Sequence, residues 1–254
     1  MIHRFCRTPT LVACVLLVST WVVGCATTGD AHTRGDDDAV GAYTRLGMAY
    51  LQRNELERAQ QALDRALDLS AGNPDVLQGL ALLYQRQGEH EAAERYFQRA
   101  LAADGQATRI HNNYAAFLYE RGDIARACEQ LEQATGNLRY DKRARLYANL
   151  GQCRRQLGQP RRALAAWQRA QTIAPEMTDS YLAVAELAWQ LGDRTTASRQ
   201  LARYEQMAGP NEATRRLARE LSGDRDAADP GFRPVPSSSQ PAGAASDVPA
   251  TNNR

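Results

Sequence analysis

Small apolar residues recur along this chain at a fixed interval. Gly47, Ala81, Ala115, Gly151 and Ala185 stand 34, 34, 36 and 34 residues apart. A second series, Ala59, Ala93, Ala127, Ala163 and Ala197, keeps the same spacings, and a third runs through Ala66, Ala100, Ala134 and Ala170 to Tyr204. Series that stay in phase mark one repeated supersecondary unit. Larger residues repeat around them: Tyr43, Leu46 and Tyr50, then Leu77, Leu80 and Tyr84, then His111, Tyr114 and Leu118. Leu63, Phe97, Leu131, Trp167 and Leu201 hold one equivalent place further on. The pattern predicts pairs of antiparallel helices, because two helices approach closely only where the crossing point carries Gly or Ala. Gly88, Gly122, Gly158 and Gly192 fall between paired helices, where a left-handed residue ends the first of them. The stretch from Arg109 to Cys153 contains the one lengthened period and both cysteines of the repeat region.

These residues resemble the tetratricopeptide repeat, a helix-turn-helix unit of 34 residues. Pro175 falls where that family often closes a unit, while Ala71 and Gly105 replace the proline earlier. A coiled coil is excluded, since the period is not seven and each pair is broken by Gly. The expected fold is all-α: a right-handed superhelix of five helical hairpins, with a final helix from Glu212 to Leu221 whose Leu217 and Leu221 cover the end of the array. In such an array the first helices line a concave surface, here expected to carry Met48, Leu51, Leu82, Asn112, Tyr119, Gln152, Arg155, Leu182 and Trp189. An exposed apolar strip of this kind marks a partner site, unless the side chains only meet one another across a tight superhelix. A known variant of the fold grips a peptide carboxylate with Lys and Asn. Asn113 holds one such place, but Gln78 and Leu82 stand where Lys and Asn are needed, so carboxylate capture is not expected.

The ends of the chain follow other rules. Residues 1–24 form a leader, with Arg4 and Arg7 before an apolar run from Leu11 to Val23 that is too short to span a bilayer. It closes on Gly24 and Cys25, which resembles a bacterial lipoprotein signal and implies that Cys25 becomes the lipidated first residue of the mature protein. Ala26 follows, and the absence of Asp there implies the outer membrane. Acyl chains hold a protein to a leaflet without a transmembrane helix. Residues 25–39 read as a flexible spacer, residues 40–222 as the repeat domain, and residues 223–254, rich in Pro, Ser and Ala, as a disordered tail.

Charge narrows the choice of partners. Setting aside Arg4 and Arg7 leaves 29 basic residues against 29 acidic ones, so no electrostatic case exists for nucleic acid. No phosphate loop, nucleophile elbow or metal-type cysteine cluster occurs, and His3, His32, His90 and His111 are scattered. An enzyme, a metal site, a cofactor and a small-molecule substrate are therefore not expected. Cys6 and Cys14 leave with the leader. Cys128 and Cys153, on helices that neighbour one another in the stack, either form a disulfide across a unit junction or remain buried thiols acting as small hydrophobes.

Several segments together are similar to the type IV pilus biogenesis lipoproteins, the pilotins of the pilus secretin. They are YTRLGMAYLQRNELERAQQALDRAL, HNNYAAFLYERGD, LRYDKRARLYANLGQC and ALAAWQRA. The paired Asn112 and Asn113 before Tyr114 match one family feature. A longer junction with Tyr140 before Lys142, Arg143 and Arg145 matches another. The family usually has Cys at the place of Tyr119 and continues into a sixth unit, so this chain departs from it twice. The resemblance implies a non-enzymatic adaptor on the inner leaflet of the outer membrane. It would bind the secretin subunit and promote its localisation and multimerisation through a groove around Met48, Leu51, Leu82, Asn112 and Tyr119. The alternative is a periplasmic repeat scaffold that positions cell-wall hydrolases or proteases.

Overall fold

The computed structural model describes residues 28–223, with side chains from Asp37 onward; the leader, Cys25 and residues 224–254 lie outside the described residues. Among the described residues there are eleven α-helices and no strand. They pair as α1 (Thr28–Gln52) with α2 (Leu56–Leu69), α3 (Pro74–Gln87) with α4 (His90–Ala103), and α5 (Thr108–Glu120) with α6 (Ile124–Thr135). Next come α7 (Arg143–Gln156) with α8 (Pro160–Ile173), α9 (Thr178–Gln190) with α10 (Arg194–Ala208), and the single α11 (Glu212–Ser222). Five hairpins and a closing helix are thus stacked in sequence order.

The turns show why the helices stop where they do. Gly88, Gly122, Gly158 and Gly192 all have φ between 68° and 82°, the left-handed geometry that reverses the chain. The first hairpin has no glycine at this place; Asn54 takes the turn with φ 58°, the only non-glycine residue with positive φ among those described. Asn tolerates that region because its short polar side chain bonds locally. At the start of α3, Asn73 accepts from the N–H groups of Asp75 and Val76 at 2.9 and 3.2 Å, and Pro74 occupies the first turn, where no N–H is needed. Asn211 and Thr214 cap α11 reciprocally at 3.0 and 2.9 Å.

The core runs along the stack as successive clusters. Leu63, Val76, Leu80 and Leu83 fill its first part, Phe97, Ile110, Tyr114, Phe117 and Leu146 its centre, and Trp167, Val184 and Leu187 the part beyond. Phe97 lies 5.2 Å from the Tyr114 ring and 5.6 Å from the Phe117 ring, which ties α4 to α5. Leu217 of α11, 6% exposed, packs with Ala185 and Leu201 and closes the far end. The near end is left open. Tyr43 and Leu46, at the places that are buried as Leu77 and Leu80 one unit later, are 36% and 44% exposed because no helix among the described residues covers that side of α1.

Two further features bear on the sequence reading. Residues 28–39 were expected as a flexible spacer, but α1 begins at Thr28, so this part of the chain is helical. It contains no proline that would interrupt the helical hydrogen bonds. Cys128 of α6 and Cys153 of α7 are joined by a disulfide, with Cα atoms 5.7 Å apart.

Candidate partner-binding site

Each hairpin reverses the chain once and the connection to the next reverses it again, so α1, α3, α5, α7 and α9 run in the same direction along one face. Polar contacts link neighbouring helices of that face. Arg109 on α5 donates to Gln78 Oε1 on α3 at 2.6 Å and also pairs with Asp75. Gln85 Nε2 on α3 donates to Glu120 on α5 at 2.7 Å, Asn149 Nδ2 on α7 to Asn112 Oδ1 on α5 at 3.4 Å, and Arg155 on α7 to Glu186 on α9 at 3.4 Å. The partners are separated by 31 to 37 residues in sequence, close to one repeat period. Arg109, Glu120, Asn149 and Glu186 were missed by the sequence reading. A search for complementary side chains within three residues of the period finds each of these pairs.

The expected groove residues separate into two groups. Met48 and Leu51 are 9% and 5% exposed and belong to the core with Leu63, Val76 and Leu80, so they do not line an open apolar strip. The cause is Gly79 on α3. A Cβ there would stand 2.6 Å from Leu63 Cδ2 and 3.6 Å from Met48 Sδ, and its absence lets the first hairpin close onto α3. Leu82, Asn112 and Tyr119 are half-buried, as are Gln152, Arg155, Leu182 and Trp189. Leu82 and Tyr119 rest on the central core, Arg155 lies 5.8 Å from the Trp167 ring, and Arg194 lies 5.4 Å from the Trp189 ring. The accessible part of the face therefore runs from α3 to α9.

Asn113 does not face a ligand. It is 5% exposed, and its Nδ2 is buried without a hydrogen-bond partner; Gln78, fully buried, accepts from Arg109 and leaves its own Nε2 unpartnered. A separate cluster fastens α4, α5 and α6. Glu94 accepts from Arg126 at 2.7 Å and from the Tyr114 hydroxyl at 3.2 Å, and Arg126 also reaches Tyr114 and Asp123. The hydrogen bond to Glu94 is the main reason the Arg126 guanidinium holds its proton more tightly than usual. Burial, ahead of any charge, raises the Tyr114 phenol above its ordinary value. Among the described residues no three His, Cys, Asp or Glu side chains gather where a metal could be held.

A stack of hairpins at this period, with an accessible face built from the first helix of each, defines a tetratricopeptide-repeat protein. The tetratricopeptide-repeat family pattern matches residues 50–112 and again residues 144–177. The chain belongs to the family of the type IV pilus assembly protein PilF of Pseudomonas aeruginosa, with 30% identity over 223 residues that span 85% of this chain and 88% of that protein. A solved structure of Pseudomonas aeruginosa pilF matches with a TM-score of 0.68 at 29% identity, covering 76% of this chain and 86% of that one. The crystal structure of PilW, a widely conserved type IV pilus biogenesis factor, shares the fold, with a TM-score of 0.62 at 21% identity over 74% of this chain and 87% of the other.

Proposed function

We propose that this chain is a lipid-anchored adaptor on the periplasmic face of the outer membrane that binds the secretin subunit of the type IV pilus. In this reading it promotes localisation and multimerisation of the secretin and so supports pilus biogenesis. The observation that carries the pilus role is the kinship with PilF across 85% of the chain. The half-buried face from α3 to α9 supports a binding role, because Leu82, Tyr119, Leu182 and Trp189 keep accessible apolar surface between fixed polar pairs. A helix or an extended segment of the partner would lie along it. Acyl chains on Cys25 give the body its location.

Deletion of the chain tests this directly: secretin multimers and twitching motility are lost while cell-wall composition is unchanged. Normal multimers in the deletion strain would refute the adaptor role. Cys25→Ser tests the anchor, since it moves the protein from the membrane fraction to the soluble one.

A further inference from the structure

The connection between α6 and α7 is the place where the repeat period is lengthened, and the partner face makes no use of it. Its residues are braced. Asn137 Nδ2 donates to Thr108 Oγ1 at 3.0 Å, Asn137 Oδ1 accepts from the Arg139 N–H at 3.0 Å, and Arg143 Nη1 donates to Leu138 O at 2.6 Å. Backbone bonds from Tyr140 to Asn137 and from Arg143 to Tyr140, at 3.4 and 3.2 Å, complete the turn. The bracing keeps a leucine turned outward. Leu138 is 73% exposed, the most of any large hydrophobic side chain among the described residues.

The charge around it is one-sided. Arg139, Lys142, Arg143 and Arg145 flank Leu138, with Asp141 as the single acid. From Lys142 to Ile173 the chain carries eight basic residues and no acidic one. Across the array, residues 28–141 hold 12 basic and 18 acidic residues, whereas residues 142–223 hold 14 basic and 7 acidic. A chain whose formal net charge is only +2 is therefore acidic in its first half and basic from this loop onward.

Position adds a second reason. The loop leads into the start of α7, so it lies on the edge where α1 and the other odd-numbered helices begin. Before Val40, α1 extends for 12 residues, about 18 Å of helix. From α1 to α7 there are three helix spacings, about 27 Å in all. A tilt of the body brings the loop level with the start of α1.

We infer that this loop is a membrane-surface contact, in which Leu138 enters the headgroup region of an anionic leaflet while Arg139 and Arg145 meet lipid phosphates. Basic side chains around an apolar tip suit that interface, because the charge is drawn to the surface and the leucine leaves water. The inference rests on the Cys25 anchorage proposed above for its location only.

The test uses the Leu138→Trp protein purified from membranes as the cell processes it and reconstituted in vesicles of phosphatidylglycerol and phosphatidylethanolamine. The unsubstituted protein supplies the background from Trp167, 2% exposed, and from half-buried Trp189. The expected result is added emission at shorter wavelength that brominated lipid quenches, with the quenching lost when Arg139→Glu and Arg145→Glu are combined on the same protein. Added emission at the wavelength of a solvated indole, quenched by aqueous iodide and not by brominated lipid, overturns the inference. A shift seen only after the secretin subunit is added also overturns it, in favour of a protein contact. The mass of the N-terminal peptide reads Cys25 acylation independently. An acylated protein with an unquenched tryptophan rejects the loop contact alone, and an unacylated protein with a quenched one rejects the anchorage alone.

Discussion

Gly151 and Trp167 are fitted to one another: a Cβ on Gly151 would stand 2.5 Å from Trp167 Nε1, and that indole N–H donates to Ala148 O at 3.0 Å. The third and fifth hairpins hold Ala115 with Leu131 and Ala185 with Leu201 at the same two places. In the fourth hairpin the missing Cβ of Gly151 leaves the space that the Trp167 ring fills, where Leu131 and Leu201 meet an alanine. Gly151→Ala gains about 0.5–1 kcal/mol of helix propensity but meets a ring that is 2% exposed and hydrogen-bonded. Overpacking of a core costs about 1–3 kcal/mol, so the net change is destabilising. In a Trp167→Leu background the same substitution becomes neutral or stabilising. Urea denaturation of the two single variants and the double variant measures the difference.

The disulfide between Cys128 and Cys153 closes a loop of sequence separation 25 and joins the third hairpin to the fourth. Its loss is expected to cost about 3 kcal/mol, mainly by releasing the unfolded chain. Thermal unfolding with and without reductant checks this: reduction lowers the Tm of the native protein and leaves the Cys128→Ala/Cys153→Ala variant unchanged.

Leu51 and Tyr119 were read from the sequence as parts of one groove, yet Leu51 is 5% exposed and Tyr119 is half-buried. Leu51→Glu places a charge in the core of the first hairpin and should unfold it, at a cost of several kcal/mol. Tyr119→Glu should keep the helical circular dichroism of the native protein and weaken capture of the secretin subunit by about tenfold or more. Retained binding by the Tyr119→Glu protein would move the partner site off this face.

Tyr114 contributes to the loss of stability at alkaline pH, together with Tyr84, whose phenol is also raised by burial. Burial raises the Tyr114 phenol above the ordinary value of 10.0, so the folded state resists ionisation while the unfolded chain does not. The stability from the neutral phenol is complete below pH 10.0 and is lost as pH rises through the folded pKa. Tyr114→Phe cannot ionise. Its stability at neutral pH should fall by about 1 kcal/mol through loss of the bond to Glu94, and its decline above pH 10 should be shallower than in the native protein. Chemical denaturation across that range reads both effects.

The repeat was legible from residue order because its determinants are local: a small residue at each crossing, an apolar stripe on each helix, and a left-handed residue at each turn. Gly88, Gly122, Gly158 and Gly192 mark their turns in the sequence itself, whereas Asn54 takes the same conformation without the glycine signal. The closing helix was legible through Asn211 and Leu217, since a cap and an apolar stripe are both short-range features. The accessible face was only partly legible. Its membership depends on how far neighbouring hairpins close.

Sequence alone thus determined that the chain forms paired helices in register, because the period and its turn chemistry leave no competing arrangement of similar burial. Tertiary structure decided which side chains the register exposes. Gly79 admits Leu63 and Met48 and closes the first hairpin onto α3, Arg109 is drawn to Asp75 and Gln78, and Tyr43 and Leu46 stay open because no helix among the described residues covers them. Each of these outcomes depends on the distance between units, which the spacing of residues within one unit does not encode.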